Sequence, residues 1–188
     1  MLKKAVIDID NTLWHFCDVL YELLKEINHA MPPPDGWIDW DFWMNYCSEE
    51  EFMSAIHSIH FRQDDERYMP YSEAKDFLLT LKEHDFHIVI ASHRIPESLK
   101  QTERWLRKHG LVYDELHLSY DKTVLFDETC HAVVDDSPFV LEAAAKKGLI
   151  ASGLMFPWND NNGDNGYRLF SDLKKVLDHI LDTYKGRK

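Results

Sequence analysis

The chain has 188 residues, 45% of them apolar and 29% charged, a globular composition that fits one domain or one core with a small insertion. Its formal net charge of −12 argues against a nucleic-acid coat or an anionic membrane surface as partner, and no apolar run approaches a membrane span in length. Three widely spaced cysteines (Cys17, Cys47, Cys130) suit reduced thiols rather than a disulfide framework or zinc finger, and with no long apolar leader the expected compartment is the cytoplasm.

The first feature along the chain is Val6-Ile7-Asp8-Ile9-Asp10-Asn11-Thr12-Leu13. An apolar run carries two acids two residues apart and then turns polar. Alternation along a strand would put Asp8 and Asp10 on one side, at the end where open α/β folds place their chemistry. Two carboxylates so close need a cation, a shared proton or another partner. Taken alone, the stretch also fits an edge strand with a polar end.

Residues 16–30 show Phe16, Leu20, Leu23, Leu24 and Ile27 at helical spacing, and Pro32-Pro33-Pro34 stops any helix. Residues 37–46 are rich in aromatic side chains. Ser48 and Glu51 form a capping box for a helix carrying Phe52, Ile56 and Ile59. No strand is evident before Pro70. Residues 13–70 hold 12 acids against 3 bases, hence −9 of the total −12. The segment 14–70 therefore reads as an acidic helical subdomain inserted after the first strand, and its aromatic residues read as its own small core or as a stacking platform. His57 and His60, with no neighbouring acid or thiol pattern, read as helix residues rather than metal ligands.

From Ser72 the pattern alternates. Ser72 is the expected cap of a helix bearing Phe77, Leu78 and Leu81, and residues 86–91 form a buried strand ending at Ser92-His93-Arg94. Pro96 opens a helix that runs to His109, with Gly110 after it. Residues 115–118 and 132–134 are further strands, the second ending in Asp135-Asp136. Ser137 and Pro138 start a helix that ends at Gly148, and residues 149–156 are a strand. Residues 157–168 form a loop, and Ser171 caps the last helix. Strands alternating with helices predict a parallel sheet covered on both faces, so that Asp8, Asp10, Ser92, Asp135 and Asp136 share one edge.

Hard carboxylate oxygens facing one pocket suit Mg²⁺. One carboxylate can attack phosphorus while another moves protons, and a hydroxyl and an ammonium can hold the phosphoryl oxygens.

The order of these residues resembles the haloacid dehalogenase (HAD) superfamily. Asp8-Ile9-Asp10-Asn11-Thr12 is similar to its first motif, Ser92 after Ile88-Val89-Ile90-Ala91 to its second, Lys122 to its third and Asp135-Asp136 to its fourth. The resemblance covers residues 1–13 and 72–156. It implies an α/β fold, a Rossmann-like parallel sheet flanked by helices, with 1–13 and 71–188 as the core and 14–70 as a helical cap. It also implies that Asp8 is the nucleophile and a metal ligand. Asp10 becomes the general acid/base and a metal ligand through its carbonyl, and Ser92 and Lys122 hold the phosphoryl group. Asp135 and Asp136 complete a Mg²⁺ site. Thr12, His93 and Arg94 are candidate substrate contacts, with a salt bridge as the other role for Arg94.

A second Asp at position 10 favours a phosphatase, because the dehalogenase branch lacks it. Ser92-His93-Arg94 and Phe156-Pro157-Trp158-Asn159 are further similar to the 5′(3′)-deoxyribonucleotidase branch. The expected function is thus Mg²⁺-dependent hydrolysis of a small phosphomonoester through an aspartyl-phosphate, with a nucleoside 5′-monophosphate as favoured substrate. Sugar or glycolate phosphates are the alternative, and a non-catalytic HAD-like binding module is the alternative of another class. The partner would be a small phosphorylated metabolite, with no long nucleic acid and no membrane.

Overall fold

The apolar runs of the sequence settle into one sheet. The computed structural model describes residues 3–63, 65, 67–160 and 165–186. Its strands are β1 (Lys3–Ile7), β2 (Phe86–Ser92), β3 (Glu115–Leu118), β4 (Cys130–Val134), β5 (Ile150–Leu154) and β6 (Arg168–Phe170). They lie in the order β3-β2-β1-β4-β5-β6, and every pairing is parallel. The three strands whose ends carry the candidate chemistry, β2, β1 and β4, are therefore neighbours. The α/β, Rossmann-like expectation is met.

Alternation along the central strands sorts their side chains onto two apolar layers. Ala5, Ile7, Ile88, Ile90, Ala132 and Val134 join one cluster, and Val6, Val89, Ala91, Val133 and Ala151 join the other. Helices α3 (Ala74–Glu83), α4 (Leu99–Lys108) and α6 (Leu173–Gly186) pack with the first cluster, and α5 (Pro138–Lys146) packs with the second.

The chain between β1 and α3 adds no strand to the sheet among the described residues. It holds α1 (Phe16–Ile27) and α2 (Glu49–Phe61), joined by two short 3₁₀ turns. Its two ends meet: Trp14 forms isolated bridges with Asp10 and Pro70, and the Tyr71 N–H donates to the Leu13 carbonyl at 2.8 Å. The aromatic residues do not make a separate core, as one reading of the sequence had it. Trp14, Phe16, Leu20, Trp37, Ile59 and Tyr68 run on into the same cluster as Trp105 and Phe77. The Trp105 indole N–H donates to the Tyr68 carbonyl and pins α4 to the insertion.

Several expected boundaries shift. The capping box at Ser48 and Glu51 is present. Ser171 does not cap α6; Asp172 accepts from the Lys175 N–H at 2.9 Å, and Ser171 donates to Asp172 instead. Ser72 likewise donates to Glu73, and α3 starts at Ala74. Lys122 opens only a 3₁₀ turn (residues 123–125), and the three-residue β6 falls at the end of the expected loop. Cys17, Cys47 and Cys130 are free, and burial pushes the Cys17 thiol up to about 12. No helix among the described residues is long and apolar enough to cross a membrane.

One glycine fixes the approach of β5 to the end of β4. A Cβ at Gly153 would lie 2.0 Å from the Asp135 carbonyl oxygen, a backbone atom with little room to move. Gly153→Ala should cost about 1–3 kcal/mol, as overpacking does, and displace Asp135. Urea denaturation reads the cost, and an unchanged midpoint would show that the two strands separate freely.

Candidate active site

Each acid sits where a parallel strand runs out. The Asp8 N–H still donates to the Val134 carbonyl at 2.9 Å, so Asp8 extends the β1 ladder by one residue. The chain then turns, with Leu13 N–H donating to the Ile9 carbonyl and Asn11 in the left-handed region at φ 55°. Asp135 and Asp136 follow β4, and Lys122 arrives from the loop after β3.

Asp8, Asp135, Asp136 and Lys122 are all buried, and the carboxylate oxygens of the three acids lie within 4.8 Å of one another. The Lys122 ammonium donates to Asp8 Oδ1 and to Asp135 Oδ2, both at 2.6 Å. Three acids thus share one cation away from water. Burial pushes the Asp8 carboxyl well up, against the pull of Lys122, with Asp135 and Asp136 adding to the rise. Burial and Asp135 push Asp136 up to about 7, while the Asn11 amide, donating to Asp136 Oδ2 at 3.0 Å, works the other way. A group of close, hard oxygen donors with an excess of negative charge fits Mg²⁺.

Asp10 has partners of its own. Its carboxylate is not part of that cluster. Oδ1 accepts from the Trp14 indole at 2.8 Å and from Arg94 at 2.5 Å, and Oδ2 accepts from Arg94 Nε at 3.1 Å and from the Ser92 hydroxyl at 3.3 Å. His60 Nε2 is 3.2 Å from Oδ2. Although burial opposes it, Arg94 and then His60 hold the Asp10 carboxyl well below the usual carboxylate range. Arg94 is fully buried, with further contacts to Thr102 at 3.0 Å and Gln63 at 3.1 Å, so its contacts are those of the salt bridge that was the other role expected for it.

Thr12 is fully buried, and its hydroxyl has no hydrogen-bond partner among the described residues. Burial pushes the His93 ring down to about 4, so it is neutral at pH 7. His93, Asn11 and Asp136 also line a cavity of about 270 Å³, whose other walls include Trp37, Trp40, Trp43 and Trp158. The loop after β5 is more ordered in its contacts than the sequence suggested. Asn159 donates to the Asp136 and Leu154 carbonyls at 3.0 and 2.9 Å and accepts from Phe156 N–H at 2.8 Å. It fastens Asp136 to β5. Residues 161–164 of the expected loop lie outside the described residues. His57 touches none of the acids among its described hydrogen bonds, whereas His60, read from the sequence with it as a helix residue rather than a metal ligand, lies 3.2 Å from Asp10 Oδ2.

Similarity lies in structure rather than in sequence. No protein-family model matches the chain, and no curated protein does. Among solved structures, a predicted phosphatase from Clostridium acetobutylicum superposes with a TM-score of 0.63 at 17% identity, over 97% of this chain and 100% of that one. A HAD-superfamily hydrolase from Ehrlichia chaffeensis gives 0.59 at 17% over 98% and 99%. The fold is the HAD fold. A predicted phosphoglycolate phosphatase from Haemophilus somnus gives 0.61 at 15% over 94% and 97%. Dehalogenases share the fold as well, so it does not choose the reaction.

Two substitutions separate the two acid clusters. Arg94→Met strands the Asp10 charge and should cost about 3–5 kcal/mol in urea denaturation near pH 7. Asp10 titrates lower when folded than its ordinary 3.8, so the pair's contribution is present above that pH and fades below it. The cost should shrink accordingly in acid; a cost that does not change with pH would assign it to packing alone. Asp136→Asn should act in the opposite direction in metal-free protein. Asp136 titrates higher when folded, so its protonation favours folding at low pH and that contribution is lost as pH rises through about 7. At pH 8 the variant should melt higher than wild type without metal, and it should lose most of the stabilisation by Mg²⁺. A lower melting temperature at pH 8 would show that Asp136 is compensated within the protein.

Proposed function

We propose that the chain is a phosphatase that hydrolyses small phosphomonoesters through an aspartyl-phosphate on Asp8. The observation that carries this is the buried group Asp8–Lys122–Asp135–Asp136 at the carboxyl edge of the sheet. An ammonium 2.6 Å from the attacking carboxylate favours its ionised form and can afterwards meet the phosphoryl oxygens. Asp8, Asp135 and Asp136 would hold Mg²⁺, which supplies positive charge where the phosphoryl group gathers negative charge.

A bond forms from an Asp8 oxygen to phosphorus as the ester P–O bond breaks, and the departing alkoxide takes a proton. Water then attacks phosphorus, gives up a proton and releases inorganic phosphate and Asp8. Asp10, ionised by Arg94, suits the second proton transfer. To serve in the first it must come away from Arg94 and gain a proton. Thr12 binds phosphate through its free hydroxyl.

The insertion 14–70 acts as a cap in this reading. Its ends lie side by side at Leu13 and Tyr71, and it walls the cavity that receives the leaving group. A nucleoside monophosphate, the substrate suggested by Ser92-His93-Arg94 and the Pro157-Trp158-Asn159 loop, finds aromatic rings there. Sugar and glycolate phosphates find fewer hydrogen-bonding partners on the same walls, although the Haemophilus somnus structure is described as a phosphoglycolate phosphatase. The buried acids are all in place, which disfavours a module that only binds.

Hydrolysis of p-nitrophenyl phosphate tests the reading. Activity should require Mg²⁺ and disappear with a chelator. Asp8→Asn should lower kcat by at least about a thousandfold, the scale expected when a nucleophile is removed. Turnover by Asp8→Asn at the wild-type rate would overturn the assignment.

A further inference from the structure

The cavity beside Asp136 has a composition that narrows the leaving group. Six of its wall residues are Trp37, Trp40, Phe42, Trp43, Phe52 and Trp158. The acids on its wall are Asp39 and Asp136; Asp136 belongs to the metal-holding group in the reading above, so Asp39 is the charge left for the leaving group, and neither Lys nor Arg lines the wall. Trp40, His93 and Tyr120 continue into an adjoining opening that contains Lys122, so the aromatic chamber and the phosphoryl centre share one passage. The Lys122 charge is committed to Asp8 and Asp135. The surrounding stretch 13–70 carries −9.

Each leaving group meets this wall differently. A carboxylate-bearing alcohol finds an acid, Asp39, and neither Lys nor Arg. A polyhydroxyl alcohol leaves its hydroxyls against rings, at the cost of their hydrogen bonds with water. A nucleobase gains stacking but leaves Asp39 without a counter-charge. An alkylammonium group gains on both counts: indole rings attract cations even at exposed sites, and Asp39 adds to that attraction.

Resting on the phosphatase reading above, we propose that the preferred substrates are phosphomonoesters of small alkylammonium alcohols. The cation lodges in the aromatic chamber beside Trp40, Trp43 and Asp39, and the phosphate faces Asp8 and Lys122. The net negative insertion then serves recognition: it draws in a substrate whose leaving end is positive and whose phosphate end is met at the buried centre.

The test compares kcat/KM for O-phosphocholine with that for neohexyl phosphate, its neutral carbon isostere of the same shape. p-Nitrophenyl phosphate and a set of nucleoside monophosphates run beside them. The ammonium ester should be preferred over the isostere by about tenfold or more. Asp39→Asn and Trp43→Leu should each lower that ratio severalfold. If the enzyme hydrolyses the aryl phosphate but treats the two isosteres alike, or prefers a nucleoside monophosphate, the inference is overturned and the phosphatase reading stands. If no ester is hydrolysed, the phosphatase reading falls. Calorimetric binding of the two esters to Asp8→Asn protein then decides the cation preference separately: tighter binding of the ammonium ester supports it, and equal binding overturns it.

Discussion

The constraint behind this structure is the placing of three carboxylates around one ammonium in a crevice that excludes water. Ionised carboxylates so close repel one another, and burial raises the cost of each charge. Lys122 offsets part of it through two contacts of 2.6 Å; burial first, and the neighbouring acids after it, still push the Asp8 and Asp136 carboxyls up. A divalent cation held by the three acids would relieve that repulsion. The sheet makes the arrangement possible. Parallel strands β1 and β4 lie side by side, so the backbone ladder itself sets the spacing of Asp8 and Asp135, and Gly153 lets β5 close against the second of them.

Next to it lies a second charge problem with a different solution. Asp10 is two residues from Asp8, yet its carboxylate faces a guanidinium. Arg94 supplies a planar fork with two contacts to Asp10, and its remaining donors reach Thr102 on α4 and Gln63 just past α2. His60 and Trp14, both from the insertion, complete the cradle. One carboxylate therefore joins the loop after β1, the loop after β2, α4 and both ends of the insertion. The same contacts that hold the Asp10 carboxyl low also tie the insertion to the sheet.

Most of the convergence at the sheet edge was legible in the sequence for a simple reason. Asp8, Ser92 and Asp135 are the first polar residues after apolar runs, and in a parallel sheet all such positions share an edge. The alternation of Val6 and Ile7, or of Val133 and Val134, likewise assigned their layers. What escaped notice involves pairings between residues far apart in the chain. Nothing local to His60 or Gln63 marks them as partners of Asp10 and Arg94, since α2 shows only its helical period. Asn159 was marked only by the resemblance of Phe156-Pro157-Trp158-Asn159, and its three hydrogen bonds depend on where the Asp136 carbonyl comes to rest. Ser171 is a good capping residue by type, but Asp172 is one residue nearer the helix and took the position. The strand β6, three residues long, is too short for any period to show.

Buried and surface charges act over different ranges in this molecule. Field strength inside a dry site is set by groups a few ångströms away, where screening is weak; acids on the solvent face of the insertion act through water and salt. Asn11 and Asp136 join the buried acid group to the aromatic chamber, whose wall they line. Asn11 bonds Asp136 on one side and, through its side-chain oxygen, the Cys17 N–H at 2.8 Å near the start of α1 on the other. The wall near α1 is thus one hydrogen-bonded residue away from the carboxylate cluster.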